Sequence, residues 1–285
     1  MDRSMGGRSA RAVPRDRADV LSAGVVFTPG VMTSATRGRL FVIAGQAVCV
    51  VREPELALPI GDAGDALYVG DLDGQPCFAS LLGPGGPPAG SEPMSLRQLF
   101  GALPDEEFGV AGRALGLTAW DRDHQYCGRC GTPTARSAVE RVRRCPACGH
   151  VAYPRLSPAV IVLVERDGRA LLARNARTKL PFFSTLAGFV EVGESLEEAV
   201  VREIREEAGI ELADIRYFGS QPWPFTGSLM VGFTARWASG DLVAEPTEIS
   251  DADWFAPDAL PTVPPRLSIA RALIDDFVRR QGAGA

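Results

Sequence analysis

Carboxylate side chains gather on one short predicted helix, within residues 195–209. Glu203, Glu206 and Glu207 stand three and four positions apart, so their side chains share one face of that helix. Three carboxylates on one turn repel one another unless a cation lies among them, and oxygen ligands favour a hard ion such as Mg²⁺ or Mn²⁺. The cluster therefore predicts a divalent-metal site. The alternative is a solvated acidic face, which is common where charged residues run together.

Start and stop signals delimit this helix. Ser195 and Glu198 have the S-x-x-E spacing of a capping box, and Gly209 stands where a C-cap glycine belongs. Apolar residues recur at helical spacing and predict one buried face, made of Leu196, Ala199, Val200 and Ile204. Arg202 lies four residues before Glu206, so the two side chains can pair.

The residues around this helix fit a longer pattern, G-x5-E-x7-R-E-U-x-E-E-x-G-U, where U is a bulky aliphatic residue. All fixed positions are filled, by Gly188, Glu194, Arg202, Glu203, Ile204, Glu206, Glu207, Gly209 and Ile210. This pattern is the Nudix box, and the chain resembles a Nudix hydrolase. The resemblance implies hydrolysis of a nucleoside diphosphate linked to another group, with a divalent metal on the box glutamates.

Two C-x2-C pairs form the second group of residues that could do chemistry. Fourteen residues separate the pairs, which comprise Cys127, Cys130, Cys145 and Cys148. This spacing predicts a tetrahedral zinc site, and four thiolates close the site, so the zinc is structural. Disulfides are the alternative, but cytosolic thiols stay reduced. His124 and His150 flank the pairs and are not needed as ligands. Cys49 and Cys77 lie in apolar strand patterns and are expected as buried thiols.

Basic residues near the cysteines leave a non-enzymatic alternative open. The segment contains Arg129, Arg136, Arg141, Arg143 and Arg144. A zinc ribbon with such a face can bind nucleic acid, and the Nudix fold beside it would then be inactive. A solvated basic face next to a structural zinc is equally consistent. An eroded box would support the binding protein, yet every box glutamate is present.

Composition limits the class of protein. The chain has 285 residues, of which 46% are hydrophobic and 23% charged, as is typical of a soluble globular protein. A net charge of −5 argues against general affinity for nucleic acid. No apolar run approaches a membrane span, and the first residues lack the apolar core of a secretory signal. We therefore expect a cytoplasmic protein, with residues 1–20 as a disordered tail.

Beyond the tail, we expect three structural units whose strands and helices position these groups. Residues 21–120 are expected to form a small α+β domain, residues 121–153 the zinc ribbon and residues 154–285 the Nudix domain. In the first unit we predict two strands within 39–51 that turn at 44–46, strands at 66–69 and 77–82, a loop at 83–93, and helices at 95–100 and 105–120.

The third unit predicts an α/β/α sandwich, as the family resemblance also implies. Segments that start at Ala159 and Gly168 read as a hairpin around Asp167 and Gly168. Further strands are expected at 215–219, 229–237 and 253–255. An amphipathic helix is expected at 266–280, on the side of the sheet opposite the box helix.

A second motif narrows the family. The stretch S-Q-P-W-P-F, residues 220–225, follows the box, and the NADH pyrophosphatases carry S-Q-P-W-P-F-P-x-S at this place. The chain is similar to that subfamily also in its zinc module, in Tyr153-Pro154-Arg155 and in P-P-R-L-S-I-A-R at 264–271. The similarity covers most of residues 120–280 and is weaker over the first 100. Thr226 and Gly227 depart from the family's Pro-x, which affects fine specificity more than reaction class.

The resemblance implies a set of site residues. The catalytic and metal residues would be Glu203, Glu206, Glu207 and Glu248, with the carbonyl of Ala187 as a further ligand of Mg²⁺ or Mn²⁺. Substrate-contact positions would be Glu140, Tyr153, Phe189, Gln221, Pro222, Trp223, Pro224, Phe225, Thr226, Gly227, Ser228 and Ala270. Arg97 aligns only loosely with another. Trp223 and Phe225 offer flat surfaces on which a base can stack; the alternative is an aromatic turn that plugs the core.

The implied reaction is hydrolysis of NADH to NMNH and AMP, with NAD⁺ and the NAD cap of RNA as related substrates. An ADP-ribose or other nucleotide-sugar pyrophosphatase is the alternative enzyme, against which the Q-P-W-P-F stretch argues. The resemblance also implies a homodimer in which the second chain completes each pocket. An apolar stripe on the C-terminal helix supports the homodimer only modestly, because such a stripe usually packs on the sheet of its own chain.

Overall fold

The computed structural model describes residues 27–52, 54–177 and 181–282. The predicted tail at 1–20 lies outside the described residues. Two separate sheets with their helices, joined by a small ribbon, make up this part of the chain. None of its helices combines the length and the apolar character needed to traverse a bilayer.

A seven-stranded sheet forms the N-terminal unit. Its strands run in the order β1-β5-β6-β2-β3-β7, with β4 paired to β2. They are β1 (Phe27–Pro29), β2 (Arg37–Ala44), β3 (Ala47–Val51), β4 (Ile60–Asp62), β5 (Leu67–Leu72), β6 (Gln75–Leu81) and β7 (Ser91–Ser95). Helices α1 (Leu96–Leu99) and α2 (Asp105–Asp123) bury their apolar residues against this sheet. The expected α+β character is confirmed, and Cys49 and Cys77 are buried thiols as predicted.

The loop predicted at 83–93 is wrong over its last residues. Ser91–Ser95 is a strand that pairs antiparallel with β3, and Pro93 lies opposite Cys49. Proline cannot donate a backbone hydrogen bond, so it is confined to edge strands and bulges. β7 is such an edge strand, because β3 is its one neighbour in the strand order of the sheet. Pro93 therefore lies within a strand without breaking an interior ladder.

The zinc ribbon is a three-stranded sheet in the order β10-β9-β8. Its strands are β8 (Ala135–Arg136), β9 (Arg143–Arg144) and β10 (Val151–Ala152). Asp121, at the end of α2, is buried and accepts hydrogen bonds from Arg136 (2.7 and 2.9 Å) and Arg143 (2.5 Å). Burial alone would raise the pKa of Asp121, but the two guanidiniums outweigh it and lower the pKa. This buried ion pair joins the ribbon to the N-terminal unit.

A six-stranded mixed sheet forms the third unit. Its order is β14-β15-β11-β12-β16, with β13 paired to β11 and with β11 and β15 parallel. The strands are β11 (Ser157–Arg166), β12 (Arg169–Asn175), β13 (Leu186–Phe189), β14 (Glu211–Trp223), β15 (Ser228–Ser239) and β16 (Ile249–Phe255), and the helices are α3 (Leu196–Ala208) and α4 (Ile269–Gly282).

The central strand β11 is buried on both faces, which explains its continuous apolar run. Val160 and Val162 pack in the cluster that contains Ile204 of α3, whereas Ile161 and Leu163 pack with Leu273 of α4. One helix therefore covers each face of the sheet. The predicted α/β/α sandwich is confirmed.

The strands predicted at 229–237 and 253–255 cover Ser228–Ser239 and Ile249–Phe255, and two further elements also differ from their predicted bounds. The strand predicted at 215–219 extends over Glu211–Trp223, because β14 pairs with β15 along its length to the pair Trp223 and Ser228. The terminal helix begins at Ile269 and not at 266, and the preceding segment is held by the side chain of Gln221. Both differences come from contacts distant in sequence, which local periodicity does not contain.

Candidate active site

The box helix α3 has the caps that its sequence predicts. The Ser195 hydroxyl accepts the Glu198 backbone N–H (3.3 Å), and the Glu198 carboxylate accepts the Ser195 N–H (2.8 Å). Gly209 ends the helix with a φ of 70°, in the left-handed region that favours glycine, and its N–H donates to Arg205 (3.0 Å). Both ends of the element that carries the glutamates are thereby fixed.

Arg202 ties the glutamates of the box together. Its guanidinium donates to both carboxylate oxygens of Glu194 (2.8 and 2.9 Å), to Glu203 (2.8 Å) and to Glu206 (3.1 Å). A further bond reaches the carbonyl of Phe189 at 2.9 Å. The hydrogen bonds from Arg202 lower the pKa of Glu194 to about 2. The predicted pair of Arg202 and Glu206 is confirmed, and the arginine also anchors the loop that precedes the helix.

Glu207 lies at the buried end of the carboxylate cluster, with 6% of its surface exposed. Ala187 donates a backbone hydrogen bond to it, yet its Oε2 finds no partner among the described residues. Burial, and then the negative charges of Glu203, Glu248 and Glu206, raise the pKa of Glu207 to about 8. A buried carboxylate oxygen without a partner is costly, and a cation would remove that cost.

Gly188 makes room for Glu203, a half-buried glutamate of the cluster. A Cβ at this position would lie 1.8 Å from Cδ of Glu203 and about as close to both carboxylate oxygens. Burial raises the pKa of Glu203, although Arg202 opposes the shift. Gly188 belongs to β13, opposite Val160 of the central strand. The first glycine of the box is therefore required by the close approach of a carboxylate from α3.

Glu248 approaches this cluster from the segment before β16. Arg177 donates to its Oε1 at 2.6 Å, and its charge raises the pKa values of Glu203 and Glu207. In the described part of the chain, only the four cysteine sulphurs form a group of ligand atoms within 4.8 Å of one another. The carboxylates are thus near enough to repel one another, but their oxygens do not converge as closely as the four sulphurs do. An all-oxygen set of this kind fits Mg²⁺ or Mn²⁺.

The four-cysteine cluster has the geometry of a structural zinc site. The Sγ atom of Cys130 lies 3.5 Å from that of Cys145 and 3.6 Å from that of Cys148. The Sγ atoms of Cys127 and Cys148 are also 3.6 Å apart. A tetrahedron with Zn–S bonds of about 2.3 Å gives sulphur separations of roughly 3.8 Å. All four cysteines are free, and the predicted zinc ribbon is confirmed.

Four of the five arginines proposed as a nucleic-acid face have side-chain partners inside the chain, although Arg144 forms only an exposed ion pair with Glu140 at 3.8 Å. Arg136 and Arg143 bind Asp121. Arg141 donates to the carbonyls of Tyr68 (2.7 Å) and Gly30. These contacts join the ribbon to the N-terminal unit, so the basic residues do not form one free surface.

The S-Q-P-W-P-F stretch forms the end of a hairpin and not a long loop. β14 runs to Trp223, β15 starts at Ser228, and four residues make the turn. The rings of Trp223 and Phe225 meet edge to face at 4.8 Å between centroids. Phe225 packs against the N-terminal core, and the Arg97 guanidinium lies 4.3 Å from its centroid. The loosely aligned Arg97 thus reaches this turn, and Phe225 serves partly as the core plug considered above.

Other predicted substrate positions have partners within the chain. The Gln221 amide donates to Leu267 (2.8 Å) and accepts from the Ile269 N–H (2.7 Å), which holds the start of α4. Ser228 is 3% exposed and bonds to Thr226 through their hydroxyls (2.9 Å). The side chain of Ala270 packs in the core below α4. Gln221, Ser228 and Ala270 therefore fix the hairpin and the helix.

Of three further predicted contact residues, two are exposed on the surface and one lines a cleft away from the buried carboxylates. Tyr153 and Phe189 are 61% and 55% exposed. Glu140 lines a cleft of about 540 Å³ between the N-terminal unit and the ribbon, whose lining residues include none of the box glutamates.

The contact of Arg177 with Glu248 was not predicted from the sequence, because Arg177 follows a strand and belongs to no motif.

Comparison with known families places three matches along the chain. A model described as NUDIX domain matches residues 154–277. The NADH pyrophosphatase zinc ribbon domain matches residues 122–153, and the NADH pyrophosphatase-like rudimentary NUDIX domain matches residues 29–120. The rudimentary domain coincides with the seven-stranded sheet and its helices.

Curated relatives are similar over most of their length. A protein of Deinococcus radiodurans named NAD-capped RNA hydrolase NudC is 46% identical over 242 residues, which cover 80% of this chain and 85% of the relative. A protein of the same name from Pseudomonas aeruginosa is 46% identical over 217 residues, covering 76% and 78%. Among solved structures, a NUDIX hydrolase from Nitrosomonas europaea has a TM-score of 0.48 and 20% identity, covering 56% of this chain and 93% of that one.

Proposed function

Since this chain belongs to the Nudix hydrolase family, we propose that it hydrolyses the diphosphate bond of NADH and NAD⁺ and removes NAD caps from RNA 5′ ends. The products are AMP and NMNH or NMN, or, from capped RNA, NMN and an RNA with a 5′ phosphate. The two relatives described above carry the name of that activity. The observation that carries the proposal is the buried, unpartnered Glu207 oxygen among three other glutamates.

The residues that would hold Mg²⁺ or Mn²⁺ are Glu203, Glu207, Glu248 and the carbonyl of Ala187. Such an ion neutralises phosphate oxygens and activates a water when it is bound. Arg202 keeps Glu203 and Glu206 oriented through hydrogen bonds of 2.8 and 3.1 Å. Glu206 is more exposed than its neighbours and lies at the solvent side of the cluster. The burial of Glu207 keeps bulk water from the inner end of the cluster.

Recognition of the dinucleotide falls to the aromatic turn. Trp223 is half-buried and offers a ring face to a base or a nicotinamide, whereas one face of Phe225 is covered by Arg97. Phe189 and Tyr153 add exposed aromatic surface. Thr226 and Gly227, where the sequence departs from the family motif, lie within the turn itself. Trp223 and Ser228 on either side of this turn pair as strand residues.

A substrate panel tests the proposal. NADH, NAD⁺, ADP-ribose and NAD-capped RNA are compared side by side, with Mg²⁺ and with Mn²⁺, and products are identified by chromatography. We expect AMP and NMNH or NMN from the free dinucleotides, and release of NMN from capped RNA. Preference for ADP-ribose over every NAD compound would establish the alternative enzyme, and absence of hydrolysis with tight RNA binding would establish the binding protein.

The same family membership supports a homodimer in a reducing, cytoplasmic compartment. Free thiolates at the zinc ribbon need such a compartment.

If Tyr153 of one chain completes the pocket of its partner, a Tyr153→Ala chain and a Glu207→Gln chain complement each other when they are refolded together. One working site per heterodimer is expected, together with a dimer mass by light scattering. A fully active monomer contradicts the dimer, and a dimer without complementation confines each site to one chain.

A further inference from the structure

Helix α2 of the N-terminal unit contains three glycines, of which one lies against the aromatic turn. A Cβ at Gly112 would meet Cγ of Pro224 at 3.0 Å, its Cβ at 3.5 Å and the Leu96 side chain at 3.9 Å. Gly109 and Gly116 have nothing within 4 Å of such a Cβ. A glycine is unfavourable in the interior of a helix, and the close approach of another segment is one physical reason for its presence there. At Gly112 the reason is the approach of Pro224.

Two further contacts attach the same turn to the N-terminal unit. Phe225 packs against the apolar core of that unit. Arg97, in helix α1, lies 4.3 Å from the Phe225 centroid and 5.9 Å from the Trp223 centroid. Both distances are within the range of cation–π attraction. The turn that follows the Nudix strand β14 is therefore held from the side by a different unit of the chain.

We propose that Gly112 is a positioning residue for substrate recognition, because it lets the N-terminal unit hold the aromatic turn where the dinucleotide binds. This inference rests on the proposed function, in which Trp223 provides the stacking surface. A side chain at residue 112 displaces Pro224, and the adjacent Trp223 ring moves with it. The three heavy atoms nearest to a Cβ at residue 112 belong to Pro224 and Leu96 and not to the carboxylate cluster, so we expect the cluster to keep its geometry.

The expected signature is a change in KM without a matching change in kcat. Small displacements of a binding group weaken the complex with substrate, whereas the glutamates of the carboxylate cluster should keep their geometry. Gly112→Ala requires Pro224 to shift by a few tenths of an ångström, and Gly112→Leu requires more. We expect KM for NADH to rise about twofold in the first variant and roughly five- to tenfold in the second.

The experiment compares Gly112→Ala and Gly112→Leu with Gly116→Ala and Gly116→Leu in the full-length enzyme loaded with zinc and Mg²⁺. Gly116 lies on the same helix and is exposed, so its variants have the same helix propensities without the contact. Pro224→Ala lacks the Cγ atom, and in that background Gly112→Ala should raise KM less than it does in the wild type. Thermal melting shows whether each variant is folded; if Gly112→Leu fails to fold, Gly112→Ala and the double variant still decide.

Equal KM values for the Gly112 and Gly116 variants would overturn the inference while leaving the proposed function intact. A wild type that does not hydrolyse NADH would overturn the function instead. In that case the same comparison is made with the nucleoside diphosphate that the enzyme does hydrolyse, and an unequal effect of the Gly112 variants still supports a positioning role.

Discussion

In the zinc ribbon every cysteine sulphur lies within 3.6 Å of another cysteine sulphur, whereas in the carboxylate cluster Glu207 Oε2 has no hydrogen-bond partner among residues 27–52, 54–177 and 181–282. Short turns build the first site, since the Gly131 N–H returns to the Cys127 carbonyl and the Gly149 N–H to the Cys145 carbonyl. Distant elements build the second, through α3, β13 and the segment before β16.

The difference separates a site that stabilises the fold from one that acts on a substrate. A closed set of thiolates leaves no open position, so the ion that it holds contributes to folding. An open set of glutamates, crowded and partly buried, is unfavourable until a cation arrives, which is typical of a functional site. Variants of the ribbon should therefore lose stability, whereas variants of the carboxylate cluster should lose turnover.

The largest expected effect is on the stability of the ribbon. Cys145→Ser should lose the single zinc per chain and lower the melting temperature by about 10 °C or more, because structural zinc contributes several kcal/mol to folding. Elemental analysis and thermal denaturation measure both. Cys49→Ala, which removes a buried thiol elsewhere, should keep the zinc. A wild type that is zinc-free and equally stable would contradict the assignment.

Glu207→Gln should lower turnover by a factor on the order of a hundred or more, because it removes a proposed ligand of the catalytic ion. Its melting temperature in metal-free buffer should match or exceed that of the wild type, since a neutral amide carries neither the cost of burying a charge nor the charge repulsion, which together raise the Glu207 pKa. The control is Glu211→Gln, which loses an exposed pair with Arg205 and should stay active. Near-wild-type rates at saturating Mg²⁺ would remove Glu207 from the metal set.

Gly188→Ala should lower kcat roughly 30-fold while the protein stays folded, because the added Cβ occupies the place of the Glu203 carboxylate and displaces it. Steady-state kinetics and melting curves are the measurements. Gly83→Ala adds a Cβ that meets nothing within 4 Å and should change neither. If Gly188→Ala is fully active, the position of Glu203 does not matter for the reaction.

The smallest effect is expected for Glu206→Gln, with a loss of activity below about tenfold. Glu206 is the most exposed of the four box glutamates and is engaged by Arg202 at 3.1 Å, and exposed ion pairs contribute little. Parallel kcat measurements with Glu207→Gln check the order. A loss as large as that of Glu207→Gln would mean that burial does not distinguish the roles of the glutamates.

Local sequence patterns predicted the features that depend on residues close together in the chain. The S-x-x-E capping box, the C-cap at Gly209 and the pair of Arg202 and Glu206 all occur as expected. The cysteine pairs predicted the ribbon for the same reason, because each knuckle closes within a few residues. Patterns of strand and helix, together with the family resemblance, also predicted the sandwich, and one helix does cover each face of β11.

Tertiary packing alone decided which of these groups are buried and which elements hold them. Helical spacing puts Glu206 and Glu207 on one turn, yet only the packing of α3 against β13 buries Glu207 and leaves Glu206 exposed. The contacts of Arg97 with Phe225 and of Gly112 with Pro224 join positions more than a hundred residues apart. Periodicity describes neighbours along a chain, whereas burial depends on the surfaces that distant segments bring against them.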